Sequence, residues 1–264
     1  MTDRELALYL REAKLLESGT YEITPLTGGV SSDIVVVKQG GRAFVVKQAL
    51  AKLKVADDWF ADVSRNRVEC QALEYCAGVM PTAVPRLLHA DPDVPLFVME
   101  YLGQECVAWK TPLVEGDIQP AMASRSAELL ADLHRHSWGN EDLQRQFDTR
   151  DNFRALRIEP YLLTTGRRNP DLDAQFREEA DRLYNSAQAL VHGDFSPKNI
   201  LVSSKRMVII DWEVAWFGDP AFDAAFLLSH LYLNAFFHRH RFGDDILLAQ
   251  TARTTYLDAL GQQR

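Results

Sequence analysis

The chain has 264 residues, enough for one large domain or two lobes with a core that needs no disulfide or metal staples. Apolar residues make up 47% and charged residues 25%, ordinary globular usage that argues against disorder. Lysine and arginine number 29 against 37 acidic residues, and the net charge of −8 argues against binding along a nucleic-acid phosphate backbone.

The N-terminus carries Asp3, Arg4 and Glu5 and no apolar run of signal type. Residues 3–18 set Leu6, Leu8, Leu10, Leu15 and Leu16 among charges, which predicts an amphipathic helix. Strands are predicted at 21–26, 34–38 and 43–48. Thr27-Gly28-Gly29-Val30-Ser31-Ser32 is the first connecting loop, and Gln39-Gly40-Gly41-Arg42 is a hairpin turn. A charged helix is predicted at about 62–76, then a loop punctuated by Pro81 and Pro85, then a buried strand at 96–102. Beyond it, helices are predicted at 121–136 and 171–188, with short strands at 190–191, 200–202 and 208–210. Asp219 and Pro220 are the N-cap and first position of a long apolar helix. Asp223, His230 and Asn234 interrupt that helix, which is too short and too polar for a membrane span. Cys70, Cys76 and Cys106 show neither Cys-x-x-Cys nor zinc-finger spacing and read as reduced thiols of a cytoplasmic protein. The expected fold class is α+β, with a small β-rich lobe over 1–102 and a larger helical lobe over 103–264.

The densest chemical signal is Val191-His192-Gly193-Asp194-Phe195-Ser196-Pro197-Lys198-Asn199-Ile200-Leu201-Val202. A carboxylate at Asp194 is followed five residues on by the amide of Asn199. Asp211 comes twelve residues after that, at the end of an apolar run, with Trp212 and Glu213 next. Phosphoryl transfer from ATP needs such parts. One carboxylate positions the attacking hydroxyl and accepts its proton, while an amide oxygen and a second carboxylate hold Mg²⁺. Any one of these residues alone fits a turn or a strand end equally well.

The N-terminal half offers the remaining parts. Gly28 and Gly29 fit a loop that lets backbone N–H groups approach phosphates, and equally a plain hairpin turn. Lys47 ends Phe44-Val45-Val46 on the third strand. Lys38 is its rival but adjoins the turn, where its side chain reaches solvent. Glu69, flanked by the apolar Val68, Ala72 and Leu73, is preferred over Glu74 as the anion that holds Lys47 against phosphates.

From about residue 21 to 237 the chain resembles the aminoglycoside phosphotransferase/choline kinase family, small-molecule kinases of the protein-kinase-like fold. His192-Gly193-Asp194…Asn199 and Ile210-Asp211-Trp212-Glu213…Gly218-Asp219-Pro220-Ala221-Phe222-Asp223 carry the resemblance. It implies a two-lobed fold with ATP, or GTP in its place, and Mg²⁺ in the cleft between the lobes. Asp194 would be the catalytic base and Asn199 and Asp211 the metal ligands, with Glu213 either assisting or facing solvent. Gly28, Gly29, Ser31, Lys47 and Glu69 would serve the phosphates, and Glu100 to Leu102 the adenine. His192 is expected to be structural, and Asp223 to brace the catalytic loop through backbone N–H groups near His192. His134 is read as a satisfied packing or capping residue. No Asp-Phe-Gly or Ala-Pro-Glu follows Asp211, so a protein kinase is a lesser reading, beside a non-catalytic nucleotide-binding protein. Only about fifty residues follow Asp211, fewer than in many relatives, which suggests an unusually open acceptor pocket or a shortened chain.

The acceptor stays open between sugar, amino alcohol, amino acid and antibiotic. Asp171, Asp173, Glu178, Glu179, Asp244 and Asp245 could meet a cationic one, and Arg154, Arg157 and Arg167 an anionic one. Trp138, Trp212, Trp216 and Tyr161 could stack on a sugar or cage an amine, though core packing accounts for them more simply. The expected partner is a small hydroxylated molecule, with no nucleic acid, no membrane and no preferred oligomeric state.

Overall fold

A computed structural model describes residues 1–26, 31–52, 54 and 62–261. Gly28 and Gly29 lie outside the described residues. The chain separates into two compact units, residues 1–66 with 86–102, and 67–85 with 103–264.

The first unit is a helix on a sheet. Helix α1 (Asp3–Glu12) starts from a capping box in which Thr2 and Glu5 satisfy each other's backbone N–H groups. It stops six residues earlier than its leucines suggest, because Lys14 takes a left-handed conformation (φ 59°). The N–H groups of Leu15 and Leu16 fold back onto the Leu10 carbonyl, and Leu16 still reaches the core. Strands β1 (Glu22–Pro25), β2 (Ser32–Gln39) and β3 (Arg42–Ala49) run antiparallel. Gly40 and Gly41 both have positive φ, as a two-residue hairpin turn that matches strand twist requires. Strands β4 (Leu87–Ala90) and β5 (Leu96–Glu100) complete a sheet of order β1-β2-β3-β5-β4. Leu6, Ala7 and Leu10 of α1 pack on Val37, Phe44, Val46, Leu96 and Val98. β4 was not among the predicted strands. Four residues beside Pro85 show too little periodicity to read, and it pairs with the free edge of β5 across an irregularity between Leu87 and His89. Tyr9 ties α1 to this edge through His89 and Asp91.

The second unit takes in most of helix α2 (Arg65–Val79). The connection after α2 is held there by the Ile209 N–H on the Ala83 carbonyl and by Arg206 on the carbonyls of Thr82 and Val84. Strand β6 (Val107–Ala108) leads to helices α3 (Lys110–Glu115), α4 (Pro120–Ser137), α5 (Glu141–Gln146) and α6 (Arg150–Phe153). A π-helical stretch, Arg154–Leu163, runs into α7 (Thr164–Arg168), and α8 (Asp173–Tyr184) follows. Strands β7 (Ala189–Val191), β8 (Ile200–Val202), β9 (Met207–Ile209) and β10 (Trp216–Gly218) form two small sheets, β10-β7 and β6-β8-β9. Helices α9 (Ala221–Phe237) and α10 (Phe242–Gly261) close the unit. By its backbone the α9 cap is Pro220, yet Asp219 still accepts the Ala221 N–H at 2.8 Å.

Candidate active site

The turn between β7 and β8 is built by buried polar groups that leave few choices. Gly193 has φ 79°, and a Cβ there would sit 2.6 Å from the Val214 carbonyl, so no other residue fits. Asp223, fully buried on α9, accepts the His192 N–H at 2.7 Å and the Gly193 N–H at 2.9 Å. His134 of α4 stands 3.3 Å from the same carboxylate and 2.8 Å from the Tyr256 hydroxyl of α10. The lone charge in an apolar helix is thereby fully hydrogen-bonded, as burial demands.

His192 is held on both ring nitrogens. Its Nδ1 accepts the Asp194 N–H at 3.1 Å, so Nε2 carries the proton and donates to the Ile210 carbonyl at 3.1 Å. Burial pushes this imidazole below its ordinary pKa, against the pull of Asp223 and Asp194. A neutral ring locked between two backbone groups links the β7 turn to the residue before Asp211.

Asp194 is 4% exposed. Its Oδ2 receives Asn199 Nδ2 at 2.8 Å, Lys198 Nζ at 2.9 Å and Arg157 Nη2 at 3.1 Å. The same Asn199 amide nitrogen also donates to the Asp194 carbonyl at 3.0 Å. With both amide hydrogens spent, its carbonyl oxygen is the group left to meet a cation. Burial acts to lower the Lys198 amine, and Asp194, then Asp211, outweigh it and raise its pKa.

Asp211 follows β9 in a left-handed conformation, φ 69°, uncommon for a residue with a side chain. One carboxylate oxygen each from Asp211, Glu213 and Glu69 lie within 4.8 Å of one another. Oxygens ligating one Mg²⁺ at about 2.1 Å stand at most about 4.2 Å apart, so this donor set fits a hard cation after small adjustment. Glu69 contributes to this carboxylate cluster in the second unit. In the first unit Lys47 is buried on β3. The Glu100 N–H there is committed to the Arg86 carbonyl at 2.9 Å, and the Ser31 carbonyl to the Leu50 N–H and Arg65.

A profile of the phosphotransferase enzyme family (APH) matches residues 22–258. The chain belongs to this family. It is 27% identical over 237 residues to a methylthioribose kinase of Bacillus velezensis, covering 79% of this chain and 58% of that protein. It spans little more than half the length of the curated relatives it matches. Among solved structures it resembles a choline kinase from Cryptosporidium parvum (TM-score 0.61, 14% identity, 99% of this chain and 80% of that one). It also resembles the streptomycin–ATP–APH(2")-IIa ternary complex (TM-score 0.60, 18% identity, 98% and 87%). Both likenesses are of fold, the protein-kinase-like fold.

The placement of Lys198 and Arg157 against Asp194 was not legible in the sequence. Lys198 lies inside the motif, four residues after Asp194, and that spacing was its available signal. Arg157 was one arginine of three, and its place on Asp194 depends on the π-helical stretch. Two of the aromatic candidates pack in the core. Trp212 and Trp216 are buried, Trp212 donating to the Ile209 carbonyl and Trp216 stacked on Phe153 at 4.3 Å. Among the six acidic candidates for a cationic acceptor, Asp173 pairs with Arg177 and Glu179 with Arg182, and Asp245 is wholly buried. A cavity of about 430 Å³ between α4, α9 and α10 is lined by apolar residues such as Leu130, Leu227 and Leu260 and contains none of the residues around Asp194.

Proposed function

We propose that this protein is an ATP-dependent O-phosphotransferase that moves a γ-phosphoryl group to a hydroxyl of a small molecule. The observation that carries the reading is the pair of loops after β7 and β9, the first with Asp194 fixed by Asn199 and the second bringing Asp211 and Glu213 to a cation-sized carboxylate cluster with Glu69. Family membership and relatives named as methylthioribose kinases support a small hydroxylated acceptor. Asn199, Asp211 and Glu213 are the residues to hold Mg²⁺, which when bound neutralises charge on the nucleotide phosphates. Lys47 supplies a further cation for the phosphates, and the segment from Glu100 to Leu102 meets adenine.

Asp194 does the proton work. One hydrogen bond and two ion pairs hold Oδ2, so the carboxylate keeps one orientation and presents Oδ1 to the acceptor hydroxyl. It takes that proton as the acceptor oxygen bonds to phosphorus and the bond to the ADP oxygen breaks. Catalysis here is positioning and charge neutralisation more than covalent chemistry. Asp223 and His192 contribute by holding the loop.

The test is ADP release from Mg-ATP with aminoglycosides, choline, homoserine, methylthioribose and simple sugars, each product checked for a new phosphate ester. Acceptor-dependent ADP release with a phosphorylated product is expected for one class. Nucleotide binding without transfer to any acceptor, and without ATP hydrolysis, would replace this reading with a binding-only protein.

A further inference from the structure

Building on the reading of Asp194 as the base, we infer that Arg157 is an acceptor-recognition residue and that the acceptor carries an anionic group, a carboxylate or phosphate, near the hydroxyl that is phosphorylated.

The charge around the base supports this. Asp194 Oδ2 has two cations on it, Lys198 at 2.9 Å and Arg157 at 3.1 Å. Lys198 is shared with Asp211, so Arg157 is the cation on this oxygen that the cluster of Asp211, Glu213 and Glu69 is not shown to claim. A cationic group placed against Arg157 would meet like charge, which costs more in a partly desolvated site than in water. Of the acidic residues that could draw a cation, Asp173 pairs with Arg177, Glu179 with Arg182, and Asp245 is in the interior.

The two cations divide in their surroundings. Lys198 is half exposed and pairs with Asp194 from within the motif, and it feels Asp211 as well. Arg157 comes from the π-helical stretch and is held at three nitrogens. Its Nε donates to the Gly193 carbonyl at 2.6 Å and Nη1 to the Leu156 carbonyl at 2.7 Å, while Nη2 forms an ion pair with Asp194 at 3.1 Å. A guanidinium has five N–H bonds, and the two hydrogen bonds leave hydrogens on Nη1 and Nη2 to donate. With such donors arginine grips a carboxylate or phosphate. The side chain is 12% exposed, so an anion reaching it is largely desolvated and strongly held. Proline makes this possible. In an α-helix the Leu156 carbonyl would accept from residue 160, but Pro160 has no N–H, and the chain widens into π geometry with Arg157 drawn to that carbonyl.

The test pairs acceptors that differ only in a carboxylate made neutral, 4-hydroxybutyrate and glucuronate against 4-hydroxybutyramide and glucuronamide, with choline and kanamycin as cations. Wild type, Arg157→Gln and Arg157→Lys are assayed for ADP release, and each protein is checked for retained Mg-ATP binding by thermal shift. The expected result is turnover of an anionic acceptor at least tenfold better than of its uncharged partner. Arg157→Gln should raise the KM for that acceptor about 10–100-fold with the KM for ATP unchanged, and should erase the preference over the uncharged partner. Arg157→Lys should recover part of it. A merely structural arginine would instead lower kcat for all acceptors alike. Turnover of choline or kanamycin in preference to the anions, or an unchanged charge preference in Arg157→Gln, overturns the inference while leaving the phosphotransferase reading intact. Silence with every acceptor, whatever its charge, overturns the phosphotransferase reading and this inference with it.

Discussion

Asp223 shows how much one side chain can organise. Its carboxylate accepts two consecutive backbone N–H groups of the turn that carries Asp194 and faces His134 as well. Asp223→Ala leaves two buried donors without an acceptor, at about 1–3 kcal/mol each, so urea denaturation should show a loss of about 2–6 kcal/mol. Asp223→Asn should also destabilise, because its NH₂ would face an N–H. A loss under about 1 kcal/mol in both variants would contradict the bracing role. His192 gives a pH signature. Its folded pKa lies below the ordinary 6.5, so the unfolded chain binds this proton first as pH falls. Its contribution to stability is therefore complete above pH 6.5 and declines as pH falls below it. Denaturation at pH 7.5 and 5.5 should show a smaller difference in His192→Gln than in wild type, and an equal difference would refute the assignment. At this scale His192, Asp194 and Asn199 were legible because they are contiguous, and Asp223 because a charge in an apolar helix demands partners. Arg157 was not, since nothing local separates an arginine on a base from an arginine in water.

Among the elements, the π-helical stretch Arg154–Leu163 connects sequence to site most directly. Pro160 withholds a backbone donor, the helix widens, and Arg157 is turned toward the Leu156 carbonyl, Gly193 and Asp194. Pro160→Ala restores the donor and lets the segment tighten. It should raise the melting temperature and lower kcat/KM about tenfold or more, since small displacements at the reacting centre are costly. Unchanged kcat/KM would mean that the π geometry does not serve the site. The helices and long strands were legible from their apolar spacing, and the Gly40-Gly41 hairpin from turn chemistry. The end of α1 was not, because its leucine pattern continues through Leu16 although the backbone turns at Lys14. β4 was not, because four residues become a strand only when β5 offers an edge.

For the molecule as a whole, the order of a β-rich part before a helical part could be read from the run of periodicities. The grouping of residues 67–85 with the second unit could not, because it depends on contacts with residues more than a hundred positions away, among them Ile209 and Arg206. A local motif inside a fold assembled by distant contacts explains why the chemistry was easier to read than its supports. The measurement that tests the account most directly is acceptor-stimulated ADP release by Asp194→Asn beside wild type, with Mg-ATP binding followed in both. The account predicts a fall in turnover of about 10²–10⁴-fold with nucleotide binding retained. A variant that binds Mg-ATP and keeps most of its turnover would contradict it.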